Sequence, residues 1–132
     1  MKEFEVVDNE SAVIVRATTR AGLVTAAIQG IMAAAGPRTS EMDDKTERLF
    51  SVSANDFGLV LAELISRAVD NAEKHKEAYE DIQFTLITDK KVEGSFVGRP
   101  AKSYHDPLRK SKGTIVVAKN EGNEWETKIT LA

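Results

Sequence analysis

Apolar residues that recur every three or four positions mark the strongest predicted helix, within residues 55–72. Charged side chains fall on its opposite face, and Asn55 or Asp56 offers an acceptor for the free amides of the first turn. The charged tail 73–80 is predicted to be solvated. The apolar stripe predicts the floor of a core and comprises Phe57, Val60, Leu61, Leu64, Ile65, Ala68, Val69 and Ala72.

A second helical pattern follows Thr18-Thr19, which offers an N-cap, and ends at Gly36-Pro37. Gly30 falls on the predicted outer face, where it costs about 1 kcal/mol relative to alanine. The apolar positions of this helix are Leu23, Val24, Ala27, Ile28, Ile31, Met32 and Ala35.

Alternating apolar and polar residues predict strands in most of the remaining chain. These segments are 4–7, 12–18, 49–54, 82–87, 92–97, 113–118 and 124–131. The first two are predicted to pair as a hairpin with Val13 and Val15 facing inward, and residues 89–91 to form a later hairpin turn. The order ββαβαββββ predicts one α+β domain over residues 1–132, with two helices packed on one face of a mainly antiparallel sheet.

Composition narrows the class of protein. The chain has 132 residues, of which 42% are hydrophobic and 30% charged, and a formal net charge of -3, as expected of one soluble globular domain. The absence of cysteine excludes disulfides, thiolate metal sites and cysteine nucleophiles. The sequence contains neither an apolar run that could span a bilayer nor a signal-peptide pattern, so a cytoplasmic location without a membrane partner is expected.

The sharpest chemical feature is a basic loop between residues 99 and 112. A local positive patch on an acidic protein predicts binding of RNA phosphates, with Tyr104 stacking on a base, or of an acidic protein partner. A solvated, flexible loop is the alternative interpretation. The candidate binding residues are Arg99, Lys102, Tyr104, His105, Arg109, Lys110 and Lys112.

Other polar features favour no catalytic site. The acidic run at residues 41–44 lacks the spaced oxygen ligands of a calcium loop, and the glycines form no phosphate-binding motif. His75 is expected at the surface near a helix C-terminus. No nucleophile is paired with a base, so an accessory or binding protein is predicted rather than an enzyme.

Several stretches together carry a family resemblance over nearly the whole chain. Phe4-Glu5 and Arg16-Ala17 fit an opening pattern, DFGLVLAELISRAV fits a leucine-rich helix, and residues 81–98 fit a strand pair. Residues 111–132 fit a final hairpin in which Lys112 falls on a family lysine. In these features the chain resembles archease, a small family of activators of the RNA ligase that joins tRNA halves. The resemblance implies an α+β fold with a strand-helix-strand-strand module and an inserted helix-strand unit.

The chain departs from archease at the positions of its metal ligands. Residues 9–12 read Asn-Glu-Ser-Ala where the family has His-Thr-Ala-Asp, so Ala12 replaces a metal-binding carboxylate. Val116-Val117 stands where the family has Tyr-His, and its closing aspartate falls near Ala132. No cofactor is therefore expected, and a calcium or magnesium ion would have to use Asp8 and Glu10. Glu10 is the better substitute, because it lies two residues from Ala12 on the same strand face.

Two hypotheses follow. The first is an archease-like accessory protein for RNA ligation or tRNA processing, which binds an RNA ligase and keeps Asp8, Glu10 and Lys112 as its site. The second is a diverged, non-catalytic binding module on the same scaffold. That module would use the basic loop to hold a protein, a nucleotide or another anionic ligand.

Overall fold

A computed structural model describes residues 3–7 and 11–132 and has the predicted α+β architecture of two helices and antiparallel sheets. None of its helices is long and apolar enough to cross a membrane within that part of the chain. The helices are α1 (Arg20–Ala35) and α2 (Phe57–His75). The strands are β1 (Phe4–Val7), β2 (Ala12–Ala17), β3 (Pro37–Arg38), β4 (Thr46–Ser53), β5 (Glu77–Ile87), β6 (Lys91–Pro100), β7 (Ser103–Tyr104), β8 (Ala118–Lys119) and β9 (Trp125–Thr130).

The described strands divide among three antiparallel sheets, in the orders β1-β2-β9-β8, β4-β6-β5 and β3-β7. Strand β2 pairs on one side with β1, as the predicted hairpin, and on the other with β9. Helix α1 contacts β1 and β2 of the four-stranded sheet and also β5 of the three-stranded sheet. Helix α2 packs on all three strands of the three-stranded sheet. Both helices therefore contribute to one shared hydrophobic core.

Helix α2 follows the sequence pattern closely. The Asp56 side chain accepts a hydrogen bond of 2.9 Å from the Leu59 amide, as an N-cap should. All eight residues of the predicted apolar stripe are buried. The helix ends at Lys76, whose φ of 55° turns the chain directly into β5.

Helix α1 has its predicted ends but not its predicted outer face. Thr19 caps it by accepting from the Gly22 amide at 3.0 Å, and Gly36 ends it with φ at 60°. The prediction that Gly30 faces outward is wrong. Gly30 is buried against β2, and a Cβ atom there would lie 2.5 Å from Val13 Cγ1.

The prediction of a solvated tail at 73–80 is confirmed for Glu73, Lys74, Lys76 and Glu80, which are exposed, but it is wrong for 77–79. Strand β5 begins at Glu77, and Glu77, Ala78 and Tyr79 are all buried. A left-handed turn at Lys76 redirects the chain, and Arg48 on β4 neutralises the Glu77 carboxylate. Burial of this charge is tolerated because its partner comes from a strand about thirty residues earlier.

The predicted strand at 113–118 is reduced to β8, which covers only Ala118–Lys119. The preceding residues lie against the first turn of α2 instead of continuing the ladder with β9. Contact is so close that a Cβ atom on Gly58 would lie 2.1 Å from the Ile115 carbonyl oxygen. Ile115 is buried there, whereas Val116 is 70% exposed.

Candidate functional site

Three separate stretches meet at one end of the four-stranded sheet, here called the strand-end site: residues 11–12, 110–112 and 130–132. The Leu131 amide donates to the Ser11 carbonyl at 2.7 Å, which joins the start of β2 to the end of the chain. The Lys112 amide donates to Thr130 at 2.7 Å, and the Ala132 amide donates to Lys110 at 2.9 Å. The long sequence separation between these stretches is thus bridged by backbone hydrogen bonds.

Side chains at the strand-end site do not supply a set of anionic ligands. Ala12 is 1% exposed and pairs with Thr130. Residues 3–7 and 11–132 contain no group of three or more His, Cys, Asp or Glu side chains that could hold a metal ion. The proposed metal ligands Asp8 and Glu10 lie outside the described residues.

The basic residues nearest this site differ in what they contact. Lys112 is exposed, and Arg109 is half-buried. Lys110 places its Nζ 2.8 Å from Asp70 Oδ1 on α2, which tethers the segment to that helix. Arg109 and Lys112 are therefore the better candidates for contacts with an external anion.

Arg99 is directed toward the protein itself. Its side chain is 19% exposed and donates to the carbonyl oxygens of Asp43 and Glu41, at 2.7 and 3.1 Å. Its Nε also lies 3.5 Å from the Glu80 carboxylate. Arg99 therefore holds the turn after residue 40 against β6. Its partners differ from that of Lys110, which pairs with Asp70.

Lys102, Tyr104 and His105 lie on the β7 side of the small β3–β7 sheet. The Lys102 amide donates to Arg38 at 2.8 Å, and the His105 amide donates to Gly36 at 3.0 Å. Both side chains are exposed. The segment 101–106 is thus hydrogen-bonded to the end of α1 and to β3, rather than detached from the fold.

The Tyr104 ring packs against the core, and its hydroxyl donates to the Glu77 carbonyl. Burial raises the pKa of Tyr104 to about 12, with smaller contributions from the charges of Glu77 and Glu73. Tyr104 also lines a groove of about 480 Å³ with Lys102 and Leu108. Because its ring packs against the core and its hydroxyl is hydrogen-bonded, the main role of Tyr104 is to hold the loop against the core.

A cleft that the sequence did not reveal lies between the start of α1, the start of α2 and the last hairpin. This Trp125 cleft has a volume of about 340 Å³. The Arg20 guanidinium carbon lies 5.2 Å from the Trp125 ring centroid and 5.9 Å from that of Phe57. The lining residues are Arg20, Asp56, Phe57, Gly58, Thr114, Ile115, Val116, Val117 and Trp125.

Only the occurrence of a single tryptophan in the chain could have drawn attention to this cleft. Arg20 and Trp125 are more than 100 residues apart, and no local pattern joins them. They meet because β2, which leads into α1, pairs with β9 in a register that sets Ala17 opposite Trp125.

Comparison with known proteins gives a similarity of fold. No family model matches the chain, and no curated protein matches it. Among solved structures it is similar to the solution structure of Methanobacterium thermoautotrophicum protein 1598, a structural genomics target. The TM-score is 0.56 and the sequence identity 9%, over 98% of this chain and 97% of that one. The two proteins thus share an α+β fold along their whole lengths.

Proposed function

We propose that this chain is an archease-like accessory protein for RNA ligation or tRNA processing, which acts by binding an RNA ligase rather than by turnover of its own. The resemblance of several sequence stretches to archease motivates the proposal. The full-length fold similarity to a protein only 9% identical is compatible with it, because distant relatives retain fold longer than sequence.

The observation that carries the proposal is the convergence at the strand-end site. The resemblance places archease site positions at Ala12, Lys112, Val116-Val117 and the region of Ala132, and all but Val116-Val117, which lines the Trp125 cleft, lie in the three stretches of the strand-end site. These stretches meet through three backbone hydrogen bonds. The meeting of these three stretches at one end of one sheet supports the proposal.

The positive charges near this site support the accessory role. Lys112, which is exposed, and Arg109, which is half-buried, add positive charge next to the stretch that is hydrogen-bonded to the end of β9. Such charges steer an acidic protein surface or an RNA end toward the site and fix its orientation. The effect on the ligase would come from this binding.

An assay with a purified tRNA-splicing RNA ligase and a tRNA half pair tests the proposal. Added chain is expected to raise the ligase turnover. The double variant Arg109→Ala/Lys112→Ala should lose about tenfold of that stimulation, because two steering charges are removed. Lys90→Ala, an exposed cation in the β5–β6 turn, is the matched control and should stimulate fully. Absence of stimulation together with absence of ligase binding contradicts the proposal.

The second candidate is a diverged binding module on the same scaffold. It is favoured by Ala12, which is buried at the position of a family carboxylate. This module would bind RNA or an acidic partner in a salt-sensitive way without stimulating ligation. RNA binding unchanged in an Arg109→Ala/Lys110→Ala/Lys112→Ala variant would count against it.

A further inference from the structure

We propose that the Trp125 cleft binds a small organic molecule with one carboxylate or phosphate group on a flat, apolar body. This site uses none of the residues of the strand-end site. It therefore goes beyond the accessory function and stands or falls separately from it.

We assign the binding of the ligand's anionic group to Arg20. Its guanidinium lies beside the rings of Phe57 and Trp125, and its side chain is exposed. No carboxylate within the described ranges forms an ion pair with it. An arginine already restrained by two rings loses little side-chain entropy when it binds an anion, and its planar fork matches carboxylate and phosphate oxygens.

A second cation, Lys119, lies near the same ring, although it does not line the cleft. Lys119 Nζ lies 4.8 Å from the centroid of the same Trp125 ring. Together with the Arg20 distance this places the two cations within about 10 Å of each other. Salt screens charges at such a separation, so the direct contact with the anion is assigned to Arg20 alone.

Asp56 limits how much negative charge the ligand can carry. It lines the cleft, and its Oδ1 already accepts from the Leu59 amide at 2.9 Å. Its remaining negative charge repels a highly charged ligand, so a single anionic group suits the site better than a polyphosphate.

The apolar body of the ligand is assigned to the wall of the cleft that precedes β8 in the chain. Ile115, Val116 and Val117 line this wall, and Val116 is 70% exposed at its edge. The close approach of Ile115 to Gly58 holds the wall against α2. A volume of about 340 Å³ lies in the range of small-molecule sites, which combine an apolar lining with a few placed polar groups.

The fluorescence of Trp125 gives a direct test, because this is the only tryptophan in the chain. The probes are benzoate and adenosine monophosphate, which place a carboxylate or a phosphate on an aromatic body. The controls are benzyl alcohol and adenosine, which lack the anion, and acetate and inorganic phosphate, which lack the body. At least one probe should give a saturable change, with about tenfold weaker binding for its matching controls.

Two variants then test whether Arg20 contacts the anionic group of the bound probe. Arg20→Gln should weaken binding of the active probe by about tenfold, because a charge-assisted hydrogen bond is lost. Arg67→Gln, an exposed arginine on α2, is the matched control and should bind normally. Circular dichroism checks that both variants are folded, and amide shifts of Gly58 and Val117 should move on binding.

Three results overturn the proposal. They are no saturable change with either probe at about 10 mM, equal affinity in folded Arg20→Gln, and binding of oligonucleotides without binding of the small probes. A failure of ligase stimulation leaves these results unaffected, since neither Arg109 nor Lys112 lines the cleft.

Discussion

Glu77 shows how a single residue can be charged and buried at once. Two hydrogen bonds of 2.8 Å reach its carboxylate from Arg48, and a third of 3.0 Å comes from the Tyr79 hydroxyl. Burial alone would raise the pKa of Glu77, but these hydrogen bonds outweigh burial and lower the pKa below its usual value. The same residue accepts from Tyr104 through its carbonyl oxygen, so it links β4, β5 and β7.

Replacement of Glu77 by glutamine should reduce the free energy of unfolding at pH 7 by about 1–3 kcal/mol, because charged hydrogen bonds are lost. A lowered pKa in the folded state adds stability above the unfolded value of about 4.5 and loses it as the pH falls through the folded value. The advantage of the wild type over Glu77→Gln should therefore shrink below pH of about 4.5.

Urea unfolding at neutral and acid pH measures this difference. Glu47→Gln, an exposed change on β4, is the matched control and should alter stability by less than about 0.5 kcal/mol. A constant difference between wild type and Glu77→Gln across the acid range would show that the pKa of Glu77 is not lowered by folding.

At the scale of elements, tertiary packing determines how a substitution changes stability even where helix propensity predicts the opposite change. Glycine is a poor helix former, so propensity alone predicts that alanine at position 30 would stabilise α1. In the fold, α1 crosses β2 at this position, and Val13 there is fully buried. The missing side chain of Gly30 allows the close approach of helix and strand.

Gly30→Ala should therefore destabilise the protein by about 1–2 kcal/mol, because the added methyl group must displace the stiff Val13 side chain in a packed core. Thermal unfolding followed by circular dichroism provides the measurement. Gly122→Ala, in the exposed turn before β9, is the control and should shift stability by less than about 0.5 kcal/mol. A gain in stability for Gly30→Ala would mean that helix propensity outweighs packing here.

At the scale of the whole molecule, the first and last strands of the described chain belong to one sheet. Strand β9 pairs along the full length of β2, and the start of α1 and the Trp125 cleft both depend on that pairing. The strand-end site lies at the far end of the same strand pair. Both candidate sites are therefore products of one long-range pairing.

Calcium or magnesium at millimolar concentration should leave the melting temperature of the chain unchanged. Hard cations need several oxygen ligands, and under the proposed archease resemblance Ala12 stands at one family carboxylate and a second falls near Ala132. A cation that binds only the folded state raises the melting temperature by mass action, so calorimetry with and without metal is a direct measurement. An upward shift abolished by Glu10→Ala would instead establish a metal site there.

Much of the fold could be predicted because its main signals are local. The stripe of α2, the ends of α1 and the inward faces of Val13 and Val15 follow from side-chain periodicity and capping chemistry alone. Prediction failed at Gly30, at Glu77 and in the segment before β8. In each case the deciding contact, with Val13, Arg48 or Gly58, is made to another element of the fold and not within the local pattern.

The candidate sites were less predictable than the fold. The sequence grouped seven residues by proximity along one loop, but Arg99 and Lys110 are engaged with Asp43 and Asp70. Charge along a chain indicates where cations occur but not which of them already have partners. The Trp125 cleft carried no local signal at all, since its cation and its ring come from opposite ends of the chain.

The sequence by itself determined the two helices, most strands and the α+β class, because periodicity and caps act within a few residues along the backbone. The tertiary structure alone decided which charges stay free, which glycine lies in the core and where a cleft opens. These properties depend on contacts between segments that only the pairing of β2 with β9 and the packing of both helices bring together.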